Sequence, residues 1–397
     1  MPRFQPFAGV RYAASDGRLD AVVAPPYDVI DATQRQRLVA ASEHNAVRLE
    51  LPAEEGGVGR YDVAAGLWAQ WRRDGVLVDD PDPAFYVYRM GYQDVAGRPR
   101  QTTGVLGALA LSPPTDGQIL PHEHTTPKDK ADRLQLLRAC RANLSPIWVL
   151  SPAPGLSALC EPTGAPDARA TDAEGVHHRL WRITAPGVMA AIAEVVASAP
   201  VVVADGHHRY ETALAYRAEG QANGATDEGA DAILAYVVEL ADEQLDVRPI
   251  HRLIGGLPAH VDLLAALAAH FEVTAFDGPV GALPAAMAAA GALGLVTEQE
   301  TCLLRPTPAT VAAAGHDLDS SRLDVALADL PAHDLRYQHG IDVVVADVAA
   351  GRASAGVLLR PATVAQIAET GAGGARMPPK TTFFSPKIRT GLVFRSL

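Results

Sequence analysis

Val201-Val202-Val203-Ala204-Asp205-Gly206-His207-His208-Arg209 is the stretch whose reading decides the fold. Its apolar, β-branched opening predicts a buried strand. Asp205-Gly206 breaks that run. Tyr210, Ala213, Leu214 and Arg217 then recur at helical spacing, and Gly220 offers a stop. The stretch therefore reads as strand, tight turn and helix, with two histidines and an arginine at the helix start. Arg209 is electrostatically out of place there, because a helix N-terminus already carries partial positive charge and unpaired N–H groups. Asp205 as N-cap supplies part of the missing negative charge, and a phosphate or carboxylate ligand supplies the rest. Gly206 lets the backbone approach such a ligand closely. The alternative reading is a surface turn whose Arg209 pairs with a neighbouring acid.

Working outward, a second informative stretch precedes this loop. His122 and His124 alternate around Glu123, and Thr126-Pro127 supplies an N-cap and first residue for a helix from about 128 to 142. That helix carries Lys128, Lys130, Arg133, Arg138 and Arg141, with Leu134 and Leu137 on its apolar face. A third stretch closes the chain. Residues 376–389 hold Arg376, Lys380, Lys387 and Arg389 and no acid. In an acidic chain this is a candidate anion clamp, or else a solvated basic strand.

The rest of the chain reads as irregularly ordered strands and helices. Val47 to Leu51 and Ile341 to Val345 are expected as strands, and Ala32 to Ser42 as a helix. Without regular βαβ alternation the expected class is α/β with a mixed sheet, not a doubly wound parallel one. The expected organisation is an N-terminal α/β part over 1–115, a core with the phosphate-binding loop over 116–255, an Ala-rich lateral α/β unit over 256–322, and a C-terminal part over 323–397 that completes the core.

Composition narrows the function. The 397 residues are 48% hydrophobic and 20% charged, as in ordinary globular proteins. A net charge of −12 argues against a duplex nucleic acid partner, which needs clustered Lys and Arg. Cys140, Cys160 and Cys302 are scattered and odd in number, so they form neither a disulfide framework nor a zinc knuckle. A reducing cytoplasm is the expected compartment. The N-terminus has no apolar signal core, and no stretch is apolar enough to suggest a membrane span. Nothing in the sequence sets an oligomeric state.

The chemistry these residues allow best is the handling of a phosphorylated small molecule or nucleotide, which needs N–H donors, cations, and an acid to hold metal or take a proton. Gly206, His207, His208 and Arg209 supply the loop. Lys128 and Arg133, with Lys380 and Lys387 from the tail, are expected to face the same cleft. Asp205, Glu123 and Asp28 are the candidate bases or Mg²⁺ ligands. Asp205, His207, His208 and Glu123 form the candidate catalytic pool. Scattered histidines make zinc unexpected, with His122 and His124 as the positions where a metal would sit. No Walker A motif and no Gly-x-Ser-x-Gly elbow occurs.

The Asp205–Arg209 loop resembles the one that defines the ParB and sulfiredoxin superfamily, and within it the free serine kinases of archaea. A wider set occurs in order: Phe4-Gln5-Pro6-Phe7, Pro25-Pro26-Tyr27-Asp28-Val29-Ile30, His122-Glu123-His124-Thr125, the loop, Pro249-Ile250-His251-Arg252-Leu253, and Met377-Pro378-Pro379-Lys380-Thr381-Thr382-Phe383-Phe384-Ser385-Pro386-Lys387. This set resembles the bacterial and archaeal family catalogued as domain of unknown function 1015, over essentially the whole chain. The resemblance implies a ParB/sulfiredoxin-like core that holds nucleotide phosphates at a helix N-terminus. It further implies phosphoryl transfer with serine or phosphoserine as leading substrate, and Mg²⁺ and ATP or ADP as cofactors. Kinase and phosphatase directions both stay open. A nucleotide- or metabolite-binding regulator without turnover is the alternative. Sulfiredoxin redox chemistry is not implied, because His207 stands where a sulfiredoxin has its cysteine.

Overall fold

The β-branched run at 201 does become a buried strand, and it lies inside a large mixed sheet. A computed structural model describes residues 1–14, 16–121, 127–224, 228–258, 260–372, 377–378 and 380–397. The chain divides into two units, Met1–Asp246 with Pro386–Leu397, and Val247–Ser385.

The first unit is built on nine strands: β1 (Phe4–Gln5), β2 (Phe85–Gln93), β3 (Pro99–Ala110), β4 (Ile119–Pro121), β5 (Ile147–Ser151), β6 (Ala168–Thr171), β7 (His177–Ile183), β8 (Val201–Asp205) and β9 (Ala232–Glu239). Their order is β4-β8-β5-β9-β3-β2-β7-β6, with β1 paired to β3. Two pairs are parallel, β8 with β4 and β9 with β5. The others are antiparallel. Helices in this unit include α1 (Ala32–Ala41), α2 (Val47–Glu50), α3 (Arg60–Arg73), α4 (Pro127–Cys140), α5 (Pro186–Ala197) and α6 (His207–Ala222).

Strand alternation gives the sheet two different faces. Ile147, Val149, Val201, Val203, Ile233, Ala235 and Val237 share an apolar cluster with Ile192 and Val196 of α5 and Tyr210 and Ala213 of α6. The intervening positions carry aromatics with polar tips. Trp148 meets Tyr236 at 5.5 Å between ring centroids, and Tyr88 meets Tyr236 at 5.1 Å. Against Tyr88 lies a buried network in which its hydroxyl meets His178 Nδ1 at 2.8 Å and the His178 Nε2 meets Asp172 at 2.9 Å. Arg389 donates to Asp172 from Nε at 3.1 Å and from Nη2. The C-terminal segment is bound in further along: Thr390 exchanges backbone hydrogen bonds with Ala24, Phe394 with Val10, and Arg395–Ser396 pairs with Ala142–Asn143.

The second unit is a six-stranded antiparallel sheet of β10 (His251–Gly255), β11 (Phe271–Ala275), β12 (Leu293–Thr297), β13 (Thr301–Pro306), β14 (Asp334–Gln338) and β15 (Ala355–Leu358), in the order β11-β13-β12-β15-β10-β14. Helices α7 (Asp319–Ala328) and α8 (Ile341–Ala349) belong to it. The boundaries expected at 256 and 322 differ from these. β15 lies between β12 and β10, so residues past 322 complete this sheet and not that of the first unit. Two further readings change. Ile341 to Val345 opens a helix, because Val344 and Val348 are buried one turn apart. Val47 to Glu50 is a helical turn, not a strand.

Gly104 on β3 and Gly66 on α3 test the packing in opposite directions. A Cβ on Gly104 would lie 2.4 Å from the Val237 carbonyl oxygen and 2.7 Å from Val238 Cγ2. Gly104→Ala should destabilise by about 1–3 kcal/mol through overpacking. Gly66 meets nothing within 4 Å, so Gly66→Ala should stabilise by roughly 0.5–1 kcal/mol. Urea midpoints of the two variants check both signs.

Candidate anion-binding site

β8 ends in a β-bulge. Val203 pairs with Val149, but the register then shifts so that Asp205 stands opposite Trp148. The extra residue re-aims the strand end, and Asp205 and Trp148 both line one small cavity. Gly206 follows at φ 91°, a left-handed conformation that favours glycine. A Cβ there would press against Ile147 Cγ2 at 2.9 Å and Arg209 Nη2 at 3.0 Å. Gly206 itself is the N-cap of α6, and no side chain caps the helix start.

Asp205 is therefore not the N-cap that the sequence suggested. Its carboxylate accepts from Lys387 Nζ at 2.5 Å through Oδ1 and from Arg209 Nη2 at 2.9 Å through Oδ2. Arg209 also donates from Nη1 to the Pro146 carbonyl oxygen. Arg209 thus does pair with a neighbouring acid, one helical turn away, but not in a surface turn. The side chains of Arg209, Lys387 and Asp205 are only 11%, 12% and 17% exposed. Arg209 Nε is buried with no hydrogen-bond partner among the described residues. Burial alone would push the Asp205 carboxyl up, but Lys387 and Arg209 overcome it and hold the group well below the usual carboxylate range.

Pro26, Ser145, Pro146 and Ile388 complete the wall of this small crevice. A second and more open cavity, of about 50 Å³, adjoins it, with Ser145 and Arg209 in both walls. Arg133 lines the second one, only 6% exposed. Its guanidinium donates to the Glu50 carbonyl oxygen at 2.8 Å and to Asp132, and it lies over the Tyr27 ring at 4.1 Å from the centroid. Burial pushes the Tyr27 hydroxyl up against the pull of Arg209. Tyr27 therefore lies within electrostatic reach of both arginines, and exposed Asp28 follows it.

Of the residues expected at the site, Asp205, Arg209, Arg133 and Lys387 line the two cavities, and Gly206 follows Asp205 as the N-cap of α6. His207 is buried and close enough to Asp205 for its charge to help lower that carboxyl. His208 lies on the α4 side, with Nε2 3.7 Å from Asp129. α4 and α6 are joined further along by Lys130–Glu211 at 3.1 Å and Arg138–Glu219 at 2.5 Å. Lys380 belongs to the second unit, where it is exposed at φ 56°. His122, Glu123 and His124 lie outside the described residues, as does the Lys128 side chain. Among the described residues no group of three His, Cys, Asp or Glu side chains is placed to hold a metal ion. No helix is long and apolar enough to cross a membrane, among the residues described.

Sequence reasoning missed Glu50, Ser145, Pro146 and Trp148. Pro26 and Tyr27 sit inside a quoted motif, so a signal for them existed. Ser145 and Trp148 carried none, because one precedes and the other lies within an ordinary apolar strand.

A model of the family described as protein of unknown function, DUF1015, matches residues 4–326. No curated protein matches the chain. Among solved structures, a free serine kinase in complex with AMP is 15% identical at a TM-score of 0.37, over 73% of this chain and 92% of that one. A conserved hypothetical protein from Pyrococcus furiosus is 15% identical at 0.36, over 73% of this chain and 95% of that one. SbnI with a C-terminal truncation, from Staphylococcus aureus, is 12% identical at 0.39, over 72% and 85%. Likenesses this distant transfer no residue and no ligand to this chain.

Asp205 sets a pH dependence. Its folded-state carboxyl titrates below the unfolded value of about 3.9, so its contribution is present above that value and lost as pH falls through the folded one. Asp205→Asn should cost about 3 kcal/mol at pH 7, the lower end for breaking a buried pair. The gap to the unsubstituted protein should narrow as pH falls below about 4, where its unfolded chain takes up a proton that the folded carboxylate still resists. Chemical denaturation of both proteins from pH 7 to pH 3 checks the sign and the window.

Proposed function

The chain belongs to the DUF1015 family, and from its own geometry we propose that it is a phosphoryl-transfer enzyme acting on a small phosphorylated metabolite. The carrying observation is one carboxylate shared by two cations at the uncapped start of α6. Two cations, Lys387 and Arg209, bear on the one carboxylate of Asp205 in a wall of low dielectric. The first N–H groups of α6 add partial positive charge at the same place. A phosphate answers both.

In this reading Arg209 and Lys387 hold the phosphate, and Asp205 holds them. Asp205 is a poor base near neutrality, since its carboxyl is kept so far down. The acid that takes a proton or meets Mg²⁺ is then Asp28, which is exposed beside Tyr27, or Glu123. Mg²⁺ typically needs only one or two carboxylates besides the substrate phosphates. Serine or phosphoserine is the leading substrate. The kinase direction takes ATP or ADP with Mg²⁺, and the phosphatase direction takes water alone. A metabolite-binding regulator without turnover is favoured by one observation: the described carboxylates lining the cavities, Asp205 and Glu50, are both engaged by neighbours.

Purified protein incubated with phosphoserine alone, and with serine plus ATP or ADP and Mg²⁺, separates the directions by phosphate release and product formation. Silence in all arms from folded protein removes the serine substrate. Ligand-induced stabilisation without product selects the regulator. Lys387→Ala and Arg209→Ala should each weaken binding of the phosphorylated ligand by roughly 1.5–3 kcal/mol, the size of a charged hydrogen bond. Arg209→Lys should recover part of this, since an ammonium lacks the planar fork. Because Arg209 is anchored to Asp205 and Pro146, Arg209→Ala should also lower the melting temperature of the free protein. Titration of each variant with phosphoserine and ATP, next to its melting curve, tests this; unchanged affinity in both alanine variants ends the phosphate reading.

A further inference from the structure

β6 and β7 end the first sheet, and their register sets arginines directly opposite one another. Arg169 pairs with Arg179, Arg179 pairs with Arg89 on β2, and an isolated bridge sets Arg18 beside Arg169. Residues in register share one face of a sheet, so four guanidinium side chains stand in a row across neighbouring strands. At about 4.8 Å per strand the row spans about 14 Å. Its two ends have acids of their own: Arg18 meets Asp20 at 3.1 Å, and Arg89 meets Glu161 at 2.7 Å. The middle pair, Arg169 and Arg179, is exposed, and neither has an acid within 4.0 Å among the described residues. The acids of the connecting turn serve Arg389 instead, Asp172 by hydrogen bonds and Glu174 at 4.0 Å. Like charges directly opposite on neighbouring strands destabilise a sheet. A chain with net charge −12 has no general excess of cations to account for such a row.

We propose that this row is the docking surface for a short acidic segment of a partner protein, laid across β6, β7 and β2 with its carboxylates on Arg169 and Arg179. Small-molecule sites are concave, whereas this is the open face of a sheet, and none of the four arginines lines either cavity described above. In the next row His177 and Thr171 are exposed and joined at 3.1 Å, and Gly91, opposite His177, adds no side chain above the sheet. Trp181 lies on the same face but is only 7% exposed, and its Nε1 donates to the Gly164 carbonyl oxygen at 3.2 Å. It offers no stacking platform for the bases of a single-stranded nucleic acid. A long polyanion would also run past the row onto a chain that is acidic on balance. A short peptide does not. Alternate side chains of an extended peptide lie about 6.5–7 Å apart, so three acids on alternate residues match the length of the row. The guanidinium fork suits carboxylates, and arginine is enriched at protein interfaces.

The test uses the full chain and two fluorescein-labelled peptides, one alternating Glu and Thr and one alternating Gln and Thr, followed by fluorescence anisotropy at low and at physiological salt. The Glu peptide should bind and weaken as salt rises, and the Gln peptide should not bind. Replacing both central residues, Arg169→Gln with Arg179→Gln, should weaken the Glu peptide by roughly tenfold, the size of two exposed ion pairs. The melting temperature of that variant should hold or rise, because two opposed like charges are gone. If the double variant fails to fold by circular dichroism, Arg179→Gln alone replaces it, with about half the effect on a logarithmic scale. A Glu peptide that does not bind, or that binds both proteins alike, overturns the inference. So does a fall in melting temperature with peptide affinity unchanged, which makes the row part of the fold alone. Two other occupants are tested beside it. Tighter, arginine-dependent binding of a ten-residue oligothymidylate overturns the peptide in favour of nucleic acid. A dimer in sedimentation that Arg169→Glu with Arg179→Glu dissolves overturns it in favour of a second copy of this chain. Titration with phosphoserine and ATP should be the same in all these variants, so the outcome here is independent of the phosphate reading.

Discussion

The Asp205 carboxylate, held between Lys387 and Arg209, is the interaction on which the local arrangement depends. Burying one carboxylate is costly, and burying two cations beside it is costlier still unless all three satisfy one another. The bulge at the end of β8 brings Asp205 to the cavity, Gly206 allows the left-handed turn, and the first turn of α6 places Arg209 four residues on. The third member comes from the other end of the sequence, and the trio closes only with it. That sharing of one carboxylate by two cations, more than any single residue, gives this place its chemical character.

The parts of this arrangement that were legible in the sequence are local ones. Val201 to Arg209 announces itself because β-branched residues, a glycine and a helical repeat each leave a mark over a few positions. The mixed sheet was legible for a related reason: strands and helices do not alternate in this chain. The Asp205 role was misread at the level of one hydrogen bond. An aspartate before a helix usually caps it, but here the bulge and the arrival of Lys387 turn its carboxylate to other donors.

What was hidden is what the tertiary structure alone brings together. Lys387 looked like one of several basic tail residues, and nothing local distinguishes it from Lys380, which belongs to the other unit. Glu50 sits in Val-Arg-Leu-Glu, a string that β propensity reads as strand. Packing makes it a helical turn with Val47, Leu49 and Glu50 all buried. Ile341 to Val345 fails in the same way, since a short apolar run does not by itself tell strand from helix. The domain boundary at 322 was misplaced because β15, which belongs to the middle of a sheet, lies far along the chain from the strands it joins.

The first unit is made of two pieces of chain separated by the whole of the second. During synthesis the N-terminal piece emerges long before Pro386–Leu397, yet the later piece supplies partners for Ala24, Val10, Asn143 and Asp172 as well as for Asp205. Until then Asp205 has one cation instead of two, and the Asp172–His178 pair lacks its guanidinium. Contacts this distant in sequence close late, because loop-closure entropy must be met before they contribute. The C-terminal segment is therefore a latch in time as well as in space. The lysine that completes the pairing of Asp205 arrives only after the second unit has been made, so the nascent chain carries the acid before it carries both of its cations.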